Sequence, residues 1–186
     1  MAAQLARRAL ALLLIVSLLL SVMPTGRAAV RAAALLPALL TGTEAAPLLV
    51  AGNPIRHTRT VILSQDGSVY LDIYAPTSPT PPIPGAREGL LLISGVGDNR
   101  AVPQFVNLAQ SLARSGIVAM TMTTDSLMSY TLVPATVDAV VQATLALQHT
   151  PGVAPAHVGI VGLSAGGALG ALAAADPRIR DTLAFK

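Results

Sequence analysis

The chain has 186 residues, 53% of them hydrophobic, and contains no cysteine. This length suits a single domain with a sizeable apolar core, and the absence of cysteine excludes disulfides and thiolate nucleophiles. Four of the twelve basic residues precede residue 43, so the rest of the chain is nearly neutral, and the whole chain holds only two Phe, three Tyr and no Trp. A nucleic-acid partner is therefore not expected.

We expect residues 1–29 to be a signal peptide or an N-terminal anchor. The basic pair Arg7 and Arg8 precedes an apolar run from Ala9 to Met23. This run is shorter than the roughly 20 residues of a membrane-spanning helix, which favours cleavage over anchoring. Residues 30–55 are predicted to be a linker. The protein is thus expected to be secreted or extracytoplasmic, or else to contact a membrane through an uncleaved N-terminal segment.

A β-hairpin is predicted next. Two β-rich runs, Arg59–Ser64 and Ser68–Ala75, flank an Asp-Gly step, which favours a tight turn. Residues 76–89 are rich in proline and are predicted to be a surface loop.

Strands then alternate with helices, which predicts an α/β fold with a mostly parallel sheet covered by helices on both faces. A strand is expected at Leu90–Ser94, before a helix that Asp98 or Asn99 caps and Gly116 ends. The following elements are predicted to be a strand at Ile117–Thr123, a helix that stops before Pro151, a strand at 157–163, a helix at Ala165–Ala175 and the start of a strand at 181–186.

The sequence GLSAG, residues 162–166, places Ser164 between a buried strand and a helix. A turn tight enough to expose a nucleophilic serine at a strand tip leaves no room for side chains at Gly162 and Gly166. The helix that follows offers the backbone N–H of Ala165 to an oxyanion. We therefore interpret Ser164 as a candidate catalytic nucleophile on a nucleophile elbow.

A second oxyanion donor is predicted in the sequence SGVGDN, residues 94–99, which follows the first of the buried strands. A loop bounded by glycines can turn the backbone N–H of Val96 inward. No Lys-Ser or Lys-Thr pair follows these glycines, so they do not form a phosphate loop. No metal and no cofactor is predicted.

These elements, in this order, resemble the N-terminal two-thirds of an α/β-hydrolase, most closely the dienelactone-hydrolase or esterase-like branch, over residues 56–186. The resemblance implies a serine hydrolase that acts on small carboxylic esters. It also implies a catalytic acid and then a histidine after the serine along the chain. Ser94 stands where this family commonly begins the oxyanion loop with His-Gly.

None of the three histidines is expected to reach Ser164. His157 begins the strand that leads to the serine, so about 3.3 Å per residue places it roughly 20 Å away, at the opposite edge of the sheet. His149 ends a helix at that edge, and His57 precedes the first strand there. A base must lie within hydrogen-bond reach of its nucleophile, so we predict surface or linker positions for all three.

Asp125 follows a strand tip at the edge of Ser164, where it could line the pocket or cap a turn. The missing base and an apolar strand with little to cover its flank suggest a fragment or truncated product whose acid, His and last strands would follow Lys186. Two alternative functions stay open. One is a non-catalytic or truncated hydrolase-like protein, and the other is a serine peptidase of the prolyl-oligopeptidase type.

Overall fold

The computed structural model describes residues 33, 35–38, 40–43, 49, 52–77 and 87–185. The predicted signal peptide or anchor, residues 1–29, lies outside the described residues, as does most of the predicted proline-rich loop. Within the described ranges, no helix is long and apolar enough to cross a membrane.

One mixed sheet forms the centre of the described structure. Its strand order is β1-β2-β4-β3-β5-β6. β1 pairs antiparallel with β2 and β2 antiparallel with β4, whereas β3 pairs parallel with both β4 and β5, and β5 pairs parallel with β6. The strands are β1 (Ile55–Ser64), β2 (Gly67–Pro76), β3 (Arg87–Ile93), β4 (Val118–Thr124), β5 (Val153–Gly162) and β6 (Leu183–Phe185).

Helices cover both faces of this sheet. They are α1 (Pro103–Arg114), α2 (Asp125–Met128), α3 (Ala135–Gln148) and α4 (Ala165–Ala174). α3 and α4 bury Leu147 and Leu169 in the larger core cluster on one face. α1 buries Ala109 and Leu112 in a second cluster on the other face. The predicted α/β architecture is confirmed.

The central strands owe their position to their sequences. All seven residues of β4 are buried, and its sequence VAMTMTT carries no charge. β3 ends in the apolar run LLLI, and the last three of these residues are buried. Parallel strands that are covered on both faces need such runs because neither side of them meets water.

Four details of the predicted elements need correction. β1 begins at Ile55, four residues before its predicted start, and β3 begins at Arg87, within the segment 76–89 that was predicted to be a loop. α1 begins at Pro103 with Val102 as its N-cap residue, and no side chain caps it. The prediction that Asp98 or Asn99 caps this helix is therefore wrong, because both side chains are bound elsewhere, Asp98 to Arg100 and Asn99 to Val96 O. β5 begins at Val153, four residues before the predicted start.

Part of the predicted linker, residues 30–55, packs on α1. Residues 35–38 and 40–41 are helical, and Ala38 is fully buried. The side-chain amide of Asn107 on α1 donates to the carbonyl of Gly42. The backbone and side-chain nitrogens of Asn53 both donate to Arg114 O, each over 2.9 Å.

Candidate active site

Ser164 lies on the sharp turn between β5 and α4. Its backbone has φ 56° and ψ −132°, a combination that L-residues rarely adopt and that costs of the order of 1–3 kcal/mol. The side chain is exposed and makes no capping hydrogen bond to the helix that it precedes. The turn is fixed to the sheet by the Leu163 N–H, which donates to Ile93 O over 2.8 Å. The strained backbone thus presents the serine hydroxyl to solvent at the tip of β5.

The two glycines of the turn sit where no side chain fits. A Cβ on Gly162 would lie 2.1 Å from Gly166 O, and a Cβ on Gly166 would lie 2.4 Å from Ile93 O. Both obstacles are backbone atoms, which cannot turn aside as a side chain can. Gly167, one residue further on, has its nearest neighbour at 3.4 Å. The close approach of α4 to β5 and β3 therefore depends on glycine at positions 162 and 166.

The loop of residues 94–99 follows β3 and touches the Ser164 turn directly. Gly95 has φ +97°, and a Cβ on it would lie 3.3 Å from Leu163 O and 3.4 Å from Ala165 N. The loop therefore contacts the first turn of α4. These are the two segments in which the sequence predicts the oxyanion donors. Val96 is half-buried and packs against the larger core cluster.

Hydrogen bonds made by the loop determine which of its N–H groups remain available to a ligand. Gly97 N–H donates to Leu127 O over 2.6 Å, and the Asn99 side-chain amide donates to Val96 O over 2.8 Å. Both polar groups of the peptide that joins Val96 to Gly97 are thereby engaged. In the part of the chain that the structure describes, the N–H groups of Val96 and Ala165 have no acceptor. Two free N–H groups beside an exposed serine can bind a negatively charged oxygen.

An ionic network that the sequence analysis missed anchors this loop to β2. Arg100 pairs with Asp98 through two hydrogen bonds of 2.8 Å and reaches Asp72 Oδ2 at 3.3 Å. Asp72 is only 1% exposed, and its other oxygen lies 2.8 Å from Arg59 Nε and 2.5 Å from His57 Nε2. The hydrogen bond from Arg100 holds the pKa of Asp98 below its usual value, against the opposing effect of burial, and Asp98 in turn raises the pKa of Arg100.

A charged residue within an otherwise apolar strand could have revealed this network. Asp72 interrupts the sequence YLDIY of β2, and a buried carboxylate needs cationic or hydrogen-bonding partners. Its partner Arg100 stands 28 residues away along the chain. Tyr130 was also missed. Besides Ser164, it is the other non-glycine residue with positive φ among the described residues, at 57°.

Asp125 lies at the same edge of the sheet as Ser164, but its carboxylate binds the β1–β2 hairpin. Its Oδ1 accepts a hydrogen bond of 3.0 Å from the Tyr70 hydroxyl, and its Oδ2 accepts one of 3.3 Å from Ser68 N. It does not cap α2, because Thr124 is the N-cap residue and accepts from Leu127 N. Asp125 therefore binds the hairpin instead of capping α2, and its role in lining the pocket stays a prediction.

The three histidines lie away from Ser164. His57 sits near the start of β1, stacks on Tyr74 at 4.4 Å between ring centroids and pairs with Asp72. It is thus part of the ionic network rather than a linker residue. His149 follows the end of α3, where its Nδ1 contacts Leu145 O at 2.7 Å. His157 is exposed in the first half of β5, beside Glu88 and Ile117. The described ranges also contain no group of three or more acidic or histidine side chains that could hold a metal ion.

The described structure is similar to those of several solved esterases. An esterase from Pyrobaculum calidifontis matches with 23% identity and a TM-score of 0.52, over 82% of this chain and 48% of that one. An acetyl xylan esterase from Paenibacillus sp. R4 matches with 16% identity and a TM-score of 0.51, over 69% and 52% of the two chains. EstE1, a thermophilic carboxylesterase cloned from a metagenomic library, matches with 20% identity and a TM-score of 0.51, over 73% and 47%.

This chain therefore spans about half the length of each of those three proteins. No protein-family model matches the sequence, and no curated protein matches it significantly. At such low identities the likeness establishes the fold and leaves the activity to be argued from the site. The strand order, the helices on both faces and these structural matches agree: the chain has an α/β-hydrolase fold.

Proposed function

We propose that the protein is a serine hydrolase of the dienelactone-hydrolase or esterase-like branch, acting on small carboxylic esters. The observation that carries the proposal is the backbone of Ser164, which has φ 56° on a turn between a strand and a helix. Strain of this kind persists only where the surrounding structure enforces it, and it is concentrated at reactive sites. Gly162 and Gly166 supply that enforcement through their backbone contacts.

In the proposed reaction, Ser164 Oγ attacks the carbonyl carbon of the ester while a base takes the hydroxyl proton. The carbonyl oxygen becomes negatively charged and accepts hydrogen bonds from the N–H groups of Ala165 and Val96. The N-terminus of α4 adds a partial positive charge at the same place. The alcohol then leaves with a proton, and water hydrolyses the acyl-serine to release the acid and free Ser164.

No histidine of the described residues supplies the base. His57, His149 and His157 all have other surroundings, away from the Ser164 turn. We therefore place the base and its acid in a part of the protein outside the described residues. The proposal needs no metal and no cofactor, because the oxyanion is held by backbone donors.

Hydrolysis of p-nitrophenyl acetate by the full-length protein, together with labelling by a fluorophosphonate probe, tests this proposal. Ser164→Ala should abolish both, whereas Ser129→Ala, which removes an exposed hydroxyl that donates to Asp125 O, should leave both unchanged. Gly95→Ala offers a second test. Gly95 has φ +97°, which an alanine rarely adopts, so the loop must shift and move the Val96 N–H; we expect a loss of about 100-fold in kcat, the usual effect of losing one oxyanion donor. Labelling that survives Ser164→Ala would overturn the assignment.

A non-catalytic role is the second candidate, and the placement of the histidines favours it. A hydrolase-like domain without a base would bind ligands without turning them over. Such a protein should leave even activated esters intact, and its Ser164 should not react with the probe. Peptide substrates distinguish an esterase from the third alternative, a serine peptidase, because a peptidase should cleave acyl-peptide amides as well as esters.

Export is proposed on the sequence of residues 1–29 alone. A mature N-terminus after residue 24, found by N-terminal sequencing of protein outside the cytoplasm, is the expected result. An intact N-terminus in the membrane fraction would favour the anchored form, and an intact N-terminus in the cytoplasm would contradict both.

A further inference from the structure

Tyr130 has a backbone conformation that glycine would adopt at lower cost. The N–H of Thr131 donates to Ser126 O over 2.9 Å, and the N–H of Tyr130 donates to Leu127 O over 3.0 Å. These two bonds form a Schellman motif at the end of α2, in which the residue at the Tyr130 position must be left-handed. Glycine is the usual residue there because it lacks a Cβ. A tyrosine with φ 57° is thus retained against the preference of the backbone.

The side chain of Tyr130 gains little from burial to offset this cost. Tyr130 is 77% exposed, and in the portion of the chain that the structure describes its hydroxyl has no hydrogen-bond partner. The contact that its ring does make is with the 94–99 loop. A Cβ on Gly97 would lie 3.5 Å from the Tyr130 hydroxyl and 3.6 Å from two carbons of its ring.

The sheet order places this contact beside the candidate active site. β3 lies between β4 and β5, so the 94–99 loop that follows β3 lies between the segment after β4, with Tyr130, and the segment after β5, with Ser164. Gly95 faces Ala165 on one side of the loop, and Gly97 faces Tyr130 on the other. Two residues of chain span at most about 7 Å. An acyl group bound to Ser164, with its oxygen at Val96 N, therefore has Tyr130 within reach of its chain.

We infer that Tyr130 is a specificity-determining residue whose ring packs against the acyl chain of the substrate. The inference rests on the proposed ester hydrolysis at Ser164. The exposed ring supplies an apolar surface for a chain of several carbons, whereas an acetyl group is too short to cross the loop. The enzyme should therefore prefer butyrate and hexanoate esters to acetate esters, and this preference should depend on Tyr130.

Steady-state kinetics on p-nitrophenyl acetate, butyrate and hexanoate tests this in three variants. Tyr130→Gly and Tyr130→Asn remove the ring and still suit the left-handed backbone, whereas Tyr130→Phe keeps the ring. In the first two, the ratio of hexanoate to acetate kcat/KM should fall about tenfold, because lost contact with one to two methylene groups, each worth roughly a factor of four, lowers it about 4- to 16-fold. The loss should appear mainly in KM, and Tyr130→Phe should retain the wild-type ratio.

Thermal unfolding supplies a readout that does not depend on activity. Tyr130→Gly should raise Tm by about 2–4 °C, the shift expected for a modest relief of backbone strain in a domain of this size. A purely structural role predicts the opposite sign. A Tm that falls on this substitution would therefore overturn the inference.

Ligand binding to Ser164→Ala protein separates failure of this inference from failure of the proposed function. The affinities for p-nitrophenyl hexanoate and acetate, measured by NMR titration, should differ in Ser164→Ala and converge when Tyr130→Gly is added. This result would support the inference even if the wild-type protein hydrolysed no ester. Normal hydrolysis with equal chain-length preference in wild type and Tyr130→Gly would overturn the inference and leave the proposed function intact.

Discussion

The carboxyl edge and the amino edge of the sheet differ in their chemistry. At the carboxyl edge, the segments after β3, β4 and β5 bring together Ser164, the 94–99 loop and Tyr130. Toward the amino edge lie His57 and His157, both in the first half of a strand. The nucleophile and its backbone donors thus share one edge of the described sheet, and these two histidines lie toward the other.

This difference reflects how each feature is encoded. The Ser164 turn depends on neighbours within a few residues, since backbone crowding selects glycine at positions 162 and 166. A catalytic histidine must instead be brought to the serine by the fold, often from a distant part of the chain.

Gly162→Ala should destabilise the protein most. The added methyl group would lie 2.1 Å from Gly166 O and 2.5 Å from Gly167 N, so β5 and α4 must separate, at a cost of about 3 kcal/mol or more. Gly167→Ala is the matched control, since its methyl group would meet no atom closer than 3.4 Å. Urea denaturation of both variants checks this. Equal stabilities would show that the turn is not crowded as described.

Asp72→Asn should have the next largest effect. The buried carboxylate contacts Arg100, Arg59 and His57, and its neutralisation removes the negative charge that both arginines face, at a cost of about 2–4 kcal/mol. The 94–99 loop should loosen with it, so labelling of Ser164 should slow. Asp181→Asn, at a carboxylate whose side chain is 77% exposed, should change the unfolding free energy by less than about 0.5 kcal/mol. An equally small effect at Asp72 would contradict the anchoring role.

How well the sequence predicts each region depends on whether the interactions that shape it join residues close together or far apart along the chain. The end of β5 and the helix that follows Ser164 lie where the sequence predicts them, because apolar runs and glycine spacing are local signals. The cap of α1 was mispredicted because Asp98 pairs with Arg100 instead. Tyr130 carries no local signal for a left-handed backbone, since its conformation follows from the hydrogen bonds that end α2.

Acid should weaken a second charged cluster, which is separate from the Asp72 network. Asp176 pairs with Arg178, which also binds Asp138, and hydrogen bonds from Arg178 lower the pKa of Asp176 to about 2. Because the pKa of Asp176 is lower in the folded than in the unfolded protein, its ion pair stabilises the fold fully at pH values above the unfolded pKa of 3.8. This stabilisation is lost as the pH falls through the folded pKa of about 2. The loss of stability between these pH values should be smaller in Arg178→Gln. An unchanged pH profile in that variant would count against the pairing.

The smallest effects are expected at the exposed histidines. His149→Ala and His157→Ala remove side chains that lie far from Ser164, so stability should change by less than about 0.5 kcal/mol. The rate of fluorophosphonate labelling should equal that of the wild type between pH 6 and 8. A slower rate in either variant would mean that a histidine of the amino edge does reach the serine.

The most direct test of the central claim is peptide mapping by mass spectrometry after the full-length protein reacts with a fluorophosphonate. We expect a single adduct, on Ser164. It should be lost in Ser164→Gly, although this variant should be more stable than the wild type because its backbone strain is relieved. An unmodified Ser164 in a folded protein, or an adduct on another serine, would contradict the account.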